Sequence, residues 1–156
     1  MQTTPMRTTP MAHQAVEFEK YRDSQFRALF WEPGTGKSKS VIDTACHLFE
    51  AGKIDGMLVL APGGVQRAWI SDELPIHAWV PYSTMLWETT RRRLAPHRGA
   101  FQESLRAPNL AGLAMTYSAM TTDDGAKAAK LFMETRRVLY VADETSRISN
   151  PTAKIT

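Results

Sequence analysis

Apolar residues in the first third of the chain occur in two arrangements, a helical spacing and a short unbroken run. Residues 12–21 have the spacing of an amphipathic helix, and residues 26–31 form an apolar run that ends in a glycine-rich turn. Helical periodicity returns over residues 37–51, and Gly52 is a plausible stop. The pattern predicts a helix, a strand, a glycine loop and a second helix.

The same order repeats further along the chain. Residues 56–61 form a second apolar run that residues 62–64 break, and residues 65–74 can form the next helix, which Pro75 closes. The remaining predicted elements are strands near residues 85–87, 113–117 and 138–142, a basic loop-rich or helical stretch at residues 91–106, and a helix over residues 126–137.

Strands that alternate with helices indicate an α/β fold, in which helices cover both faces of a mainly parallel sheet. The chain has 156 residues, of which 43% are hydrophobic and 22% charged, so its apolar material suffices for one globular domain and not comfortably for two. Residues 1–11, rich in Thr and Pro, are predicted to form an irregular lead-in. Residues 12–156 are predicted to form the domain.

Composition excludes several classes of protein. No run approaches the roughly 20 apolar residues of a membrane-spanning helix, and the polar N-terminus lacks the apolar core of a signal peptide. Cys46 is the single cysteine, which rules out an internal disulfide framework and a cysteine-rich zinc site. The net charge of +3 is compatible with a polyanionic partner, but is also common among proteins that bind none. We expect a soluble cytoplasmic protein with no membrane partner.

The turn after the first predicted strand has the residues of a phosphate-binding loop. Gly34 and Gly36 let the backbone curl, so that successive N–H groups point at a phosphate on the positive end of the next helix. Lys37 would reach the β- and γ-phosphates, and the Ser38 hydroxyl would ligate magnesium. The predicted nucleotide-binding residues of the loop are Pro33, Gly34, Thr35, Gly36, Lys37 and Ser38. The alternative is a plain turn and helix start that happens to contain Gly-Lys-Ser.

An acidic pair, Asp143 and Glu144, follows the last predicted strand. An aspartate there can hold magnesium through water, and the adjacent glutamate can polarise an attacking water as a general base. An isolated Asp-Glu pair is usually a solvated loop pair, but its combination with the glycine loop points to ATP hydrolysis. The predicted catalytic residues are therefore Lys37, Asp143 and Glu144, and the predicted magnesium ligands are Ser38 and Asp143.

Several segments together resemble a known protein family. They are His13-Gln14, residues 34–38, Ala61-Pro62 and residues 143–146. In this combination they resemble superfamily 2 helicases. Trp69, the Thr116-Tyr117 pair and residues 143–150 look like Swi/Snf-type ATPases, including helicase-like proteins of bacteriophages. The general phosphate-loop consensus has a glycine where Trp31 stands, and superfamily 2 motors often lack that glycine.

The resemblance implies a RecA-like P-loop NTPase domain that uses ATP and Mg²⁺ and moves on double-stranded or branched DNA. It implies that Gln14 reads the adenine edge, which suits its paired donor and acceptor, whereas a helix-surface glutamine is the alternative. It also implies contacts to DNA, largely through phosphates, at Pro62, Gly63, Gly64, Thr116 and Tyr117. A plain structural turn is the alternative for each glycine.

Motors that resemble this chain need a second RecA-like domain, which supplies an arginine finger and closes over ATP. We expect that domain in cis or in trans, and we expect the first domain to be incomplete at its C-terminus, because the sequence reaches only just past the acidic pair. Loss of such an arginine costs about a thousandfold or more in rate, so nucleotide binding with weak turnover is expected of the chain alone.

The sequence is compatible with three functions. The chain could be the ATP-binding half of a DNA-dependent helicase or translocase, a self-contained P-loop NTPase or kinase, or a non-catalytic nucleotide-binding or interaction module. The sequence shows no clear acceptor site or lid arginines for a kinase. Basic residues 91–93 could grip phosphates or form a solvated patch. Trp69, Trp79 and Trp87 could stack on bases, although packing in the core is the commoner role.

Overall fold

A parallel sheet forms the centre of the computed structural model, which describes residues 5–26, residue 29 and residues 36–144. Its four strands are β1 (Gly56–Ala61), β2 (Tyr82–Leu86), β3 (Leu110–Thr116) and β4 (Val138–Ala142). They lie in the order β2-β3-β1-β4, and every neighbouring pair is parallel. The α/β class and the parallel sheet predicted from the alternation of patterns are confirmed.

Helices cover both faces of this sheet, as predicted. Those in the described residues are α1 (Ala12–Tyr21), α2 (Lys37–Glu50), α3 (Val65–Ala68), α4 (Leu74–His77), α5 (Ala95–Arg106), α6 (Tyr117–Met120) and α7 (Asp123–Thr135). A π-helix (Trp69–Glu73) joins α3 to α4, and a 3₁₀ turn (Thr89–Arg91) precedes α5. Helix α2 and the stretch from α3 to α4 pack on one face, and α5 and α7 pack on the other. This architecture is compatible with a RecA-like domain.

The alternation of side chains along β1 divides the core into two parts. Met57 and Val59 pack in the cluster that includes Cys46 of α2, while Leu58 and Leu60 pack in the cluster that includes residues of α5 and α7. All four β1 side chains are at most 3% exposed. A fully buried side chain of this size contributes roughly 1.5–3 kcal/mol, so burial on both faces holds the central strand.

The helical stretch after β1 is longer than predicted. The sequence predicts that Pro75 closes it, but the chain stays helical to the end of α4 at His77. A proline inside an α-helix lacks an N–H and its ring clashes with the carbonyl oxygen four residues earlier, which here belongs to Ser71. Ser71 lies in the π-helix, whose wider turn accommodates the ring, so the helix continues.

Other predicted boundaries also differ by a few residues. The helix predicted over residues 126–137 spans Asp123–Thr135, and the strand predicted near residues 85–87 spans Tyr82–Leu86. The predicted strand over residues 113–117 is β3, which begins earlier and ends at Thr116. The Thr116 hydroxyl accepts a hydrogen bond from the Ala119 N–H (3.1 Å), so it caps a new helix and Tyr117 becomes helical. The predicted first strand, residues 26–31, falls largely outside the described residues.

At the edge where the strands begin, the buried guanidinium of Arg136 joins several loops. It donates hydrogen bonds to the carbonyl oxygens of Asp55, Ser104, Ala107 and Asn109, at distances between 2.7 and 3.2 Å. Its side chain is 6% exposed. A buried charge needs such partners, and this arginine supplies donors that water would supply at an exposed edge. The Asp55 carbonyl also accepts from the Ala111 N–H (3.1 Å).

Candidate functional site

Three of the predicted site segments follow strands that end at one edge of the sheet. Ala61 of β1 pairs with Thr116 of β3, and Leu60 pairs with Ala142 of β4. Because the strands are parallel, the residues that follow each strand emerge on the same side of the domain. The loop at residues 62–64, Tyr117 and the acidic pair therefore lie at one edge.

Asp143 makes hydrogen bonds to several other residues at this edge. Its backbone N–H donates to the Leu60 carbonyl (2.8 Å), which extends the pairing of β4 with β1. The Trp69 indole N–H donates to its carboxylate (2.9 Å), and the Tyr117 hydroxyl donates to its backbone carbonyl (2.7 Å). Tyr117 belongs to one of the two segments that the resemblance assigns to DNA. Trp69 lies a few residues after the other, residues 62–64.

Tyr117 is held in its donor form. Burial is the main cause that raises the pKa of its phenol to about 12, and the neighbouring Tyr140, Asp143 and Glu144 raise it further. The phenol therefore keeps its proton at neutral pH. Its hydroxyl is occupied by the Asp143 carbonyl, so a DNA contact by Tyr117 would use the ring or require that bond to break.

Glu144 is exposed and has a φ of +52°, and among the described residues no other non-glycine residue has a positive φ. Its N–H donates to the Asp143 carboxylate (2.9 Å), which accounts for part of this turn. A left-handed non-glycine residue costs on the order of 1 kcal/mol, and such strain is frequent at functional sites.

The junction before α2 is close-packed around Gly36. Its φ is +78°, and a Cβ at this position would lie 2.2 Å from Nε2 of Gln14. The same Nε2 donates to the Gly36 carbonyl (3.1 Å). Glycine is required here for both reasons, the backbone conformation and the approach of the amide.

Gln14 is 2% exposed, so it does not lie on the helix surface. Its Oε1 accepts from the Met11 N–H (2.8 Å), while its Nε2 binds Gly36. A carboxamide carries both donor hydrogens and acceptor lone pairs, which is the chemistry that matches an adenine edge. The arrangement makes Gln14 a link between α1 and the start of α2, and its role as the adenine reader stays a prediction.

Lys37 and Ser38 form the first turn of α2, and both are partly buried. The first N–H groups of a helix have no partner within it, and together with the helix dipole they favour an anion. The first turn of α2 contains no acidic side chain. Gly36 and this turn therefore fit a phosphate, whereas predicted loop residues Pro33, Gly34 and Thr35 lie outside the described residues.

The loop after β1 is open to solvent. Pro62 is partly buried, Gly63 and Gly64 are exposed, and a Cβ on either glycine would meet nothing within 4 Å. Gly64 has a φ of +90°, so the turn into α3 needs glycine for its backbone conformation and not for space. Exposed N–H groups of this kind suit a backbone contact to phosphate.

A buried ion pair beside this site was not predicted. Lys39 donates to the Asp43 carboxylate (2.7 Å) and to the Thr8 carbonyl (3.0 Å), and both charged side chains are at most 6% exposed. Burial raises the pKa of Asp43, and Lys39 opposes that shift. The pair joins the lead-in to α2, and the Lys-Asp spacing of four residues on a helix was the available signal.

Mg²⁺ would have few protein ligands at this edge. The part of the chain that the structure describes holds no group of three or more His, Cys, Asp or Glu side chains that could bind a metal ion. Mg²⁺ bound with a nucleotide usually keeps waters and takes one or two protein oxygens plus phosphate oxygens, so the two predicted ligands, Ser38 and Asp143, are enough in number. Among the described residues, no hydrogen bond joins these two side chains.

Comparison with known proteins identified no relative of this chain. No protein-family model, curated protein or solved structure matches this chain. Within the described ranges, no helix combines the length and apolar character needed to cross a membrane. The likeness to superfamily 2 helicases therefore depends on the motifs themselves.

Proposed function

We propose that this chain is the Mg-ATP-binding part of a DNA-dependent helicase or translocase of the Swi/Snf-like type. The observation that carries the proposal is the position of Asp143, which accepts hydrogen bonds from Trp69 and Tyr117. Trp69 follows the candidate DNA loop at residues 62–64, and Tyr117 follows Thr116. A motor driven by DNA needs this kind of physical connection between its DNA contacts and its nucleotide site.

Each candidate nucleotide residue has a defined task in this proposal. The N–H groups that begin at Gly36 would hold a phosphate, Lys37 would neutralise its charge, and Ser38 with Asp143 would ligate Mg²⁺. Glu144 would accept a proton from the attacking water. ATP supplies the phosphoanhydride bond whose hydrolysis drives movement along DNA. An arginine from a second RecA-like domain, in cis or in trans, would complete the charge stabilisation.

The proposal is tested by binding and hydrolysis of Mg-ATP, with and without double-stranded DNA. We expect Lys37→Ala to weaken ATP binding at least tenfold, because a charge-assisted contact to phosphate is worth more than about 1.4 kcal/mol. The matched control is Lys53→Ala, which removes an exposed lysine that pairs with Asp23. It should leave ATP binding unchanged. Turnover by the chain alone should be feeble.

Other outcomes point to the other functions. Rapid hydrolysis by the chain alone would show that no second domain is needed, and a self-contained P-loop enzyme would be the better interpretation. Tight binding of ATP that DNA does not alter, with no turnover after a second domain is supplied, would favour a non-catalytic module. ATP binding that is absent, or equally strong in Lys37→Ala, would overturn the proposal.

A further inference from the structure

A cleft lies on the face of the sheet that α5 and α7 cover. It has a volume of about 500 Å³, and within the described residues neither Gly36 nor the acidic pair lines it. Arg98, Phe101 and Gln102 line it from α5, at a helical spacing that places them on one face. Its other lining residues are Trp87, Arg92, Arg93, Asp124, Lys127, Ala128 and Leu131. The two helices therefore form opposite walls.

The walls of this cleft are basic. The lining contains four basic residues and a single acid, Asp124, so the positive charges exceed the negative charge by three. The basic residues are Arg92, Arg93, Arg98 and Lys127. Arg92 is bound to Asp124 (2.6 Å). Among the described residues, the other three basic side chains have no ion pair, and all three are exposed. This charge is available to a polyanion.

The aromatic residues of the cleft are buried and cannot stack on bases. Trp87 and Phe101 are 8% and 7% exposed. They pack edge to face with a centroid separation of 5.4 Å, and Trp87 packs in the same way on His97 (4.8 Å). Stacking on nucleobases needs an exposed aromatic face, so a nucleic acid could be held here only through its backbone phosphates.

Part of the cleft lining follows the same ends of the strands as the candidate DNA loop does. Trp87 directly follows β2, and Asp124 lies in the first turn of α7, shortly after β3 ends. Both strands are parallel to β1, whose end carries residues 62–64. Residues 62–64 and this part of the cleft lining therefore lie at the same edge of the sheet.

We propose that this cleft is an additional binding site for the sugar-phosphate backbone of DNA. The assignment of DNA as the polyanion rests on the proposed function. The evidence for the site itself is the excess of positive charge in its walls and the buried aromatic pair, Trp87 and Phe101. Three basic side chains contact phosphates, and base identity is not read. Binding is therefore independent of sequence and sensitive to salt. Three such contacts change affinity by about 40-fold between 50 and 200 mM salt.

The experiment measures fluorescence anisotropy of a labelled 20-base-pair duplex and of a 20-nucleotide single strand at several salt concentrations. The test variant combines Arg93→Ala, Arg98→Ala and Lys127→Ala. The matched control combines Lys20→Ala, Lys130→Ala and Arg106→Ala, which removes the same charge from exposed positions outside the cleft. We expect the cleft variant to bind about tenfold or more weakly with a smaller salt slope, and the control to bind within about threefold of wild type.

The outcomes separate this inference from the proposed function. Equal weakening by both variants, or none by the cleft variant, would overturn the cleft as a site. Loss on the duplex alone or the single strand alone would support the cleft and identify which form of DNA it holds. Lys37-dependent ATP binding is measured on the same cleft variant, where it should be unchanged. If the wild-type chain shows no Lys37-dependent ATP binding, the proposed motor function is wrong, whatever the cleft binds.

Discussion

The indole N–H of Trp69 donates a hydrogen bond to the carboxylate of Asp143, with 2.9 Å between Nε1 and Oδ2, although 74 positions separate the two residues. Trp69 is the first residue of the π-helix and is 3% exposed. A displacement of the helical stretch after β1 would therefore move the Trp69 indole N–H, which donates to Asp143, the predicted magnesium ligand. The bond is a physical route between the loop at residues 62–64 and the acidic pair.

Replacing Trp69 by phenylalanine should destabilise the domain, because it keeps an aromatic ring and removes the donor to a carboxylate. Hydrogen bonds to charged groups contribute roughly 1.5–3 kcal/mol, so we expect Trp69→Phe to lower the free energy of unfolding by about that amount in urea titrations. Trp79→Phe is the matched control. The Trp79 indole nitrogen is buried with no hydrogen-bond partner among the described residues, so its loss removes no such bond. Equal losses in both variants would refute a specific role for the Trp69 bond.

Gly36→Ala should be more damaging than Gly52→Ala. Both glycines have positive φ, +78° and +70°, so an alanine at either position costs roughly 1 kcal/mol of backbone strain. At Gly52 a Cβ meets nothing within 4 Å, whereas at Gly36 it would lie 2.2 Å from Gln14. We expect Gly52→Ala to lose only the strain energy. We expect Gly36→Ala to lose more stability and to bind ATP more weakly. Thermal unfolding and ATP titration of both variants decide this, and equal effects would argue against the close packing of Gln14.

The free energy of unfolding should fall as the pH drops below about 6.5, the ordinary pKa of histidine. Burial lowers the pKa of His97, Arg91 lowers it further, and Glu88 opposes them. Burial also lowers the pKa of His77, with a further contribution from Lys39. Between the lowered pKa and 6.5 the unfolded chain binds more protons than the folded chain, so protonation favours unfolding in that window.

Urea titrations from pH 5 to pH 8 measure this dependence. His97→Gln should reduce the slope below pH 6.5, because glutamine retains an oxygen that can accept from the Glu88 N–H and does not titrate. Adding His77→Gln should reduce the slope further. An unchanged slope in the double variant would mean that other groups govern the pH dependence.

Arg136→Met should be among the most destabilising single changes in the chain. It leaves the carbonyl oxygens of Asp55, Ser104, Ala107 and Asn109 without their shared donor, and loss of such a buried network costs about 3 kcal/mol or more. Arg137→Met is the neighbouring control, since that side chain is 63% exposed and its loss should cost less than about 1 kcal/mol. Urea titration measures both, and a small effect at Arg136 would show that water can replace its donors.

The sequence by itself determined the local features of this protein. An unbroken apolar run predicts a strand buried on both faces, and β1 is such a strand. The Gly-Lys-Ser sequence predicts a turn and a helix start, and α2 begins at Lys37 after a left-handed Gly36. These features depend on residues within a few positions of one another, so periodicity and turn chemistry are enough to predict them.

Only the tertiary structure decided which distant residues meet. The order β2-β3-β1-β4 brings Asp143 to the end of β1, and the π-helix carries Trp69 to its carboxylate. It also determined that the helix passes through Pro75 and that Arg136 is buried. Each of these depends on the order of the strands or on partners far along the chain, and local patterns carry no information about such pairings because many orders would bury the same apolar residues.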